Sequence, residues 1–190
     1  MTSGQDRIRR GRRLLHVRTV VAATIALLAL AGCGNAGSGA AVALRPISVS
    51  SEAFIQGGLT QRYTCHGQGI NPPLNWSAVP AGTKSIALVV DDSNAPITPY
   101  IYWLVFDISP GATDIQQGSL PTGARQALNS ADTATYDAPC PVGHPHSYRF
   151  TVYALNKVLN LSSGASLEAT WTAIAAATIG RGRIAVTGSP

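Results

Sequence analysis

Residues 136–155 read YDAPCPVGHPHSYRFTVYAL, a loop rich in Pro and Gly that runs straight into an alternating segment. Pro139, Pro141 and Pro145 leave the loop few conformations to lose, so it can hold side chains in place at small entropic cost. A period of two then puts Tyr148, Phe150, Val152 and Ala154 on one face of a strand. Ser147, Arg149, Thr151 and Tyr153 fall on the other. His146 stands at the mouth of that strand, on the Tyr148 face. Polar groups fixed at a strand end beside a rigid loop are what a small-ligand site requires.

Working outward, Lys84 to Asp91 (KSIALVVD) is a short apolar run bounded by polar residues, which predicts a strand buried on both faces. Tyr100 to Ile108 (YIYWLVFDI) is aromatic and β-branched and predicts a second strand, ended by Pro110 and Gly111. ISVSSEAF, residues 47–54, alternates weakly as an opening strand. Residues 62–80 are turn-rich, with Trp76 as a core contact, and residues 109–138 lack sustained periodicity. Ser166 can cap a helix running to about Thr178, with Glu168 in its first turn, where the helix dipole favours negative charge. Gly180 is expected to stop that helix, and Arg183 to Thr187 to return as a last strand. Residues 45–190 are enough for one domain with one core, mainly β with one clear helix.

The start of the chain follows a different logic. Arg7, Arg9, Arg10, Arg12, Arg13 and Arg18 precede an apolar run, Thr19 to Gly32, of 14 residues. That is a basic region followed by a short hydrophobic one, as in an export signal, and it falls short of the ~20 residues of a spanning helix. Leu30-Ala31-Gly32-Cys33 resembles the bacterial lipobox, whose cysteine is acylated after cleavage. The expected organisation is therefore a lipoprotein signal peptide over 1–32, a flexible tether over 33–44 starting at lipidated Cys33, and the domain. The product would be membrane-anchored and face outside the cytoplasm.

Six of the 14 basic residues and one of the nine acidic ones lie in residues 1–32, so the remainder carries eight of each. The net charge of +5 thus belongs to the leader, and no nucleic-acid partner is expected. With Cys33 set aside, Cys65 and Cys140 remain in a compartment where disulfides persist. They read either as a bridge or as two buried thiols.

Asp91 and Asp92 close a predicted strand, where carboxylates can orient a histidine or simply bond backbone amides in a turn. His144-Pro145-His146 has no further ligands at a recognisable spacing, so no metal is expected. No nucleophile can be paired with a base, and no Gly-rich phosphate loop appears. Neither an enzyme nor a cofactor is expected, and a catalytic reading would have to use Asp92 and His146 as acid and base.

At these residues the chain resembles the bacterial branch of the phosphatidylethanolamine-binding (Raf kinase inhibitor-like) family. The resemblance spans about Tyr63 to Thr187. It rests on PPLNWSAVPAGTKSIALVVDD, on the DDSNAP turn with Trp103 on the next strand, and on YDAPCPVGHPHSYRFTVYAL. It implies an antiparallel β-sandwich with peripheral helices and, at one end of the sheet, a small pocket for anionic groups such as phosphate or a phospholipid headgroup. Asp92 and Pro96 match the family's first pocket motif, His146 and Tyr148 its second, and Pro139 and Pro141 the lining loop. The chain departs from the family pattern at Ser93, Asn94, Ala138 and Ser147, and Tyr102 replaces a histidine. Tyr102 keeps a donor hydroxyl but cannot become a cation near neutral pH, which should weaken or redirect anion binding. The leading expectation is a tethered protein binding a small anion or headgroup through Asp92, Tyr102, His146 and Tyr148. The alternative is surface-mediated inhibition of, or interaction with, an envelope protein such as a protease.

Overall fold

The computed structural model describes residues 43–95 and 98–190, so Cys33, Pro96 and nearly all of the expected leader and tether lie outside the described residues. Its frame is four long strands. β6 (Ser85–Asp92), β7 (Tyr100–Ile108), β10 (His146–Leu155) and β11 (Thr178–Gly188) pair antiparallel in the order β11-β10-β6-β7. Short strands extend this sheet. The hairpin β3 (Phe54–Ile55) and β4 (Gly58–Leu59) continues it beyond β11, and β9 (Arg125–Gln126) extends it beyond β7. β1 (Arg45–Pro46) and β4 run parallel to β11, so an otherwise antiparallel sheet carries two parallel pairs at one edge. A second, three-stranded sheet, β2 (Val49–Ser50), β5 (Leu74–Trp76) and β8 (Asp114–Ile115), completes a β-sandwich.

Alternation along the long strands makes two cores. Ile86, Leu88, Val90, Tyr148, Phe150 and Val152 face the small sheet, where Leu74, Trp76 and Ile115 meet them. Ala87, Val89, Leu104, Phe106, Tyr153 and Leu155 face α1 (Leu167–Ala177), which brings Ile174 and Ala177. β6 is buried along its whole length, as a strand covered on both faces must be. Ser166 caps α1 by accepting from the Ala169 amide at 3.3 Å, and Glu168 lies in the first turn. The described residues contain this one α-helix and a 3-10 turn at Gln61–Tyr63, where peripheral helices were expected in the plural.

The end of the chain departs from the reading of Gly180 as a helix stop. α1 ends at Ala177, and β11 begins at once and runs eleven residues through Gly180 and Gly182. Both glycines serve close backbone packing. A Cβ on Gly182 would lie 1.9 Å from the Ile47 carbonyl oxygen, and one on Gly180 would lie 3.0 Å from that of Arg45. Only glycine lets the parallel β1 edge lie so close.

Candidate ligand-binding site

Asp92 and Tyr148 are cross-strand partners where β6 and β10 run side by side, and His146 lies two residues before Tyr148 on the same face. Register alone therefore brings two separated motifs together. His146 Nδ1 lies 2.7 Å from Asp92 Oδ2, and Asp92 Oδ1 accepts from the Asn94 amide at 2.7 Å. The carboxylate thus performs both roles open to it in the sequence, one oxygen orienting the imidazole and the other closing the turn. The turn is tied to β10 as well. Asn94 Oδ1 accepts from the Ser147 amide at 2.9 Å, and the Ser93 amide donates to the Ser147 carbonyl at 3.0 Å. Asn94, a departure from the family pattern, thus works as a clamp between the two motifs.

Tyr102 reaches this cluster through an irregularity. Val90 pairs with Trp103 but Asp91 pairs with Ile101, so Tyr102 is the extra residue of a β-bulge. The bulge re-aims its side chain. The Tyr102 ring meets Tyr148 edge-on at 5.5 Å and Tyr100 at 4.7 Å. The Tyr102 carbonyl, displaced from the ladder, accepts from the Asp137 amide and from Asn129 Nδ2. Asn129 is 1 % exposed and also gathers the Ala131, Thr133 and Thr135 backbone, so it organises the irregular stretch that leads into the site. Asp137 accepts from Tyr100 Oη at 2.8 Å. Sequence reasoning singled out neither residue. The only signal for them was that polar side chains recur in a loop leading to two histidines.

The Pro loop is held on the other side. Pro139 and Pro141 are buried, the Pro139 carbonyl accepts from the Cys65 amide at 3.0 Å, and Cys65 and Cys140 form a disulfide across 75 positions. The described residues therefore show a bridge in place of two free thiols. Cys65, His66 and Cys140 are the one His/Cys/Asp/Glu cluster compact enough for a metal among the described residues, and the disulfide occupies both of its sulfurs. His144 stacks on His146 with ring centroids 4.5 Å apart.

Tyr148 is the innermost member. Its ring lies over Gly188, where a Cβ would come within 2.5 Å of Tyr148 Cε2. Its hydroxyl is buried and has no hydrogen-bond partner among the described residues. Burial above all, with the negative field of Asp92, pushes the Tyr148 hydroxyl up to about 12, although the neighbouring Tyr102 hydroxyl, directed at the Tyr148 oxygen, pulls it the other way. Burial likewise raises Tyr102 and Tyr136, and burial with the Asp137 contact pushes Tyr100 up to about 12. All four phenols are neutral donors at physiological pH. Tyr100 and Tyr136 already donate, to Asp137 and to the Tyr63 carbonyl, so the cluster can offer the O–H groups of Tyr102 and Tyr148 and one imidazole edge, with a carboxylate behind the imidazole.

A β-sandwich with an oriented imidazole and edge-packed phenols gathered at one sheet end is the architecture of a class of binding proteins. The chain belongs to the phosphatidylethanolamine-binding protein family, whose profile matches residues 49–189. A UPF0098 protein of Methanothermobacter thermautotrophicus is 42% identical over 118 residues, covering 60% of this chain and 78% of the relative. LppC of Mycobacterium tuberculosis, named as a candidate lipoprotein, is 34% identical over 90% of this chain and 95% of its own length. The crystal structure of E. coli YbcL, described as a member of the mammalian PEBP family, superposes with a TM-score of 0.70 at 29% identity. That match covers 76% of this chain and 98% of YbcL.

Proposed function

We propose that Asp92, Tyr102, His146 and Tyr148 bind a small anionic group, such as phosphate or a phospholipid headgroup, in a protein held at the outer side of a membrane by a lipid on Cys33. The observation that carries the binding reading is the buried Tyr148 O–H, which finds no acceptor among the described residues. A buried donor left unpaired costs about 1–3 kcal/mol, and an anionic oxygen would recover that cost. His146 supports it. With Nδ1 held against Asp92, Nε2 is the ring atom left to meet a ligand. The similarity to LppC over nearly its whole length, together with Leu30-Ala31-Gly32-Cys33, supports the tether. The cluster works by donation and orientation, with no nucleophile placed against a base among the described residues, and acts as a binding site.

Calorimetric titration with inorganic phosphate and phosphoethanolamine tests this reading. The expected result is saturable binding that falls at least tenfold in Tyr148→Phe. Equal binding by wild type and variant would overturn it.

A further inference from the structure

The opposite face of the same sheet carries a second groove, of about 480 Å³, between β7, β10, β11 and α1. Ile101, Tyr153, Leu167 and Trp171 give it apolar walls, and Arg181 and Arg183 stand along it. These positions follow from register. Thr151 pairs with Arg183 and Tyr153 with Arg181, so the two guanidiniums rise from alternate positions of β11 beside an aromatic ring. Arg183 is fixed by donating from Nε to Thr151 Oγ1 at 2.8 Å. Arg149, the third arginine of the groove, pairs with Asp91, yet its Nε is buried without a hydrogen-bond partner among the described residues. Three arginines against the carboxylates of Asp91 and Glu168 leave the groove net positive.

The apolar side is equally specific. Trp171 is 43 % exposed although its ring packs edge-on against Tyr153 at 6.1 Å, so much of an indole face remains open. A further cavity of about 240 Å³ shares Tyr153, Trp171 and Arg181 with the groove and extends the apolar lining to Ile174 and the exposed Leu44. A cationic side beside a long apolar trough fits a molecule with an anionic head and an apolar tail. The volume is in the range of small-ligand pockets, ~300–1,000 Å³.

We infer that this groove binds a single-tailed anionic amphiphile, with its carboxylate or phosphate head at Arg181 and Arg183 and its tail along Ile101, Tyr153, Leu167 and Trp171. The site is separate from the His146 cluster, because β10 sends Tyr148 to one face and Arg149 and Tyr153 to the other. The supply of ligand, unlike the site itself, rests on the Cys33 tether proposed above. Eleven residues from Cys33 to Leu44 reach at most about 36–40 Å, which would keep the groove near a lipid surface.

Titration of the protein with dodecyl phosphate and with dodecanoate, below their micellar concentrations, tests this through tryptophan fluorescence. Trp76 and Trp103 are 5% and 2% exposed, so Trp171 should dominate the response. The expected result is a saturable blue shift for at least one anion, with the tighter of the two naming the head group. Dodecyltrimethylammonium should give none. Arg181→Glu should weaken binding at least tenfold, while Lys157→Glu, an equal charge change at an exposed residue outside the groove, should change it less than twofold. No saturable shift, an equal response to the cation, or equal weakening in the two variants would overturn the inference. Loss of phosphate binding at His146 would leave this result unaffected, so the two readings can fail separately.

Discussion

Asp91 and Asp92 are chain neighbours, yet they end in different chemistry on opposite faces of one sheet. Asp92 meets an imidazole within a cluster of phenols. Asp91 meets the guanidinium of Arg149 in a groove rich in arginine. On the first face a neutral O–H lies buried without an acceptor among the described residues; on the second, fixed cations line an apolar trough. Because successive strand residues alternate, a dipeptide can serve two sites. The carboxylate's partner, set by register with β10, decides its role, and the identity of the acid does not.

The comparison can be broken most severely at Tyr148. Tyr148→Ala removes a fully buried ring packed on Gly188 and should cost up to about 5 kcal/mol in denaturant unfolding. Replacing both Cys65 and Cys140 by serine should cost about 2–4 kcal/mol, because the bridge closes a long loop. The bridge holds the Pro139 and Pro141 loop, so hydrogen exchange should rise around the His146 face first and leave β11 beside the groove protected. On the other face, Arg149→Met should cost about 1–3 kcal/mol by leaving the buried Asp91 carboxylate without its partner.

The smallest effect sharpens the contrast through pH. Tyr100 and Tyr148 are raised to about 12, and Tyr102 is raised as well. A raised phenol binds its proton more tightly in the native state. The stabilisation is therefore complete below the unfolded value of about 10 and is lost as pH climbs from there toward 12. Tyr153, on the groove face, is raised by burial but pulled back by Arg183 and Arg181. Denaturant midpoints should fall between pH 9 and 11.5, and the fall should be shallower in Tyr148→Phe than in Tyr153→Phe.

Much of this was legible in the chain because it follows from period two. The alternation in SYRFTVYA assigned the faces of β10, and the strand Tyr100–Ile108 has the bounds its composition suggested. Motif resemblance brought Asp92, Tyr102, His146 and Tyr148 to one site, and the structure places these four together. What escaped has no period. Strict alternation along β7 cannot foresee that the bulge at Tyr102 lets Tyr102 and Trp103 pack against the same core. Asn129 and Asp137 act from an irregular loop, where long-range backbone contacts alone give a polar residue its partner. Gly180 misled because glycine after an alanine-rich helix usually marks a cap. Here its missing Cβ makes room for β1.

A working anion site at the Asp92–His146 pair and Tyr148 must respond to its ligand at the imidazole. NMR of the histidine ring signals during titration with inorganic phosphate and phosphoethanolamine tests it most directly. Selective, saturable shifts of His146 are expected, with smaller ones at the stacked His144, all lost in Asp92→Ala. Millimolar phosphate that leaves the His146 signals unmoved, in a protein whose spectrum is otherwise folded, would contradict it.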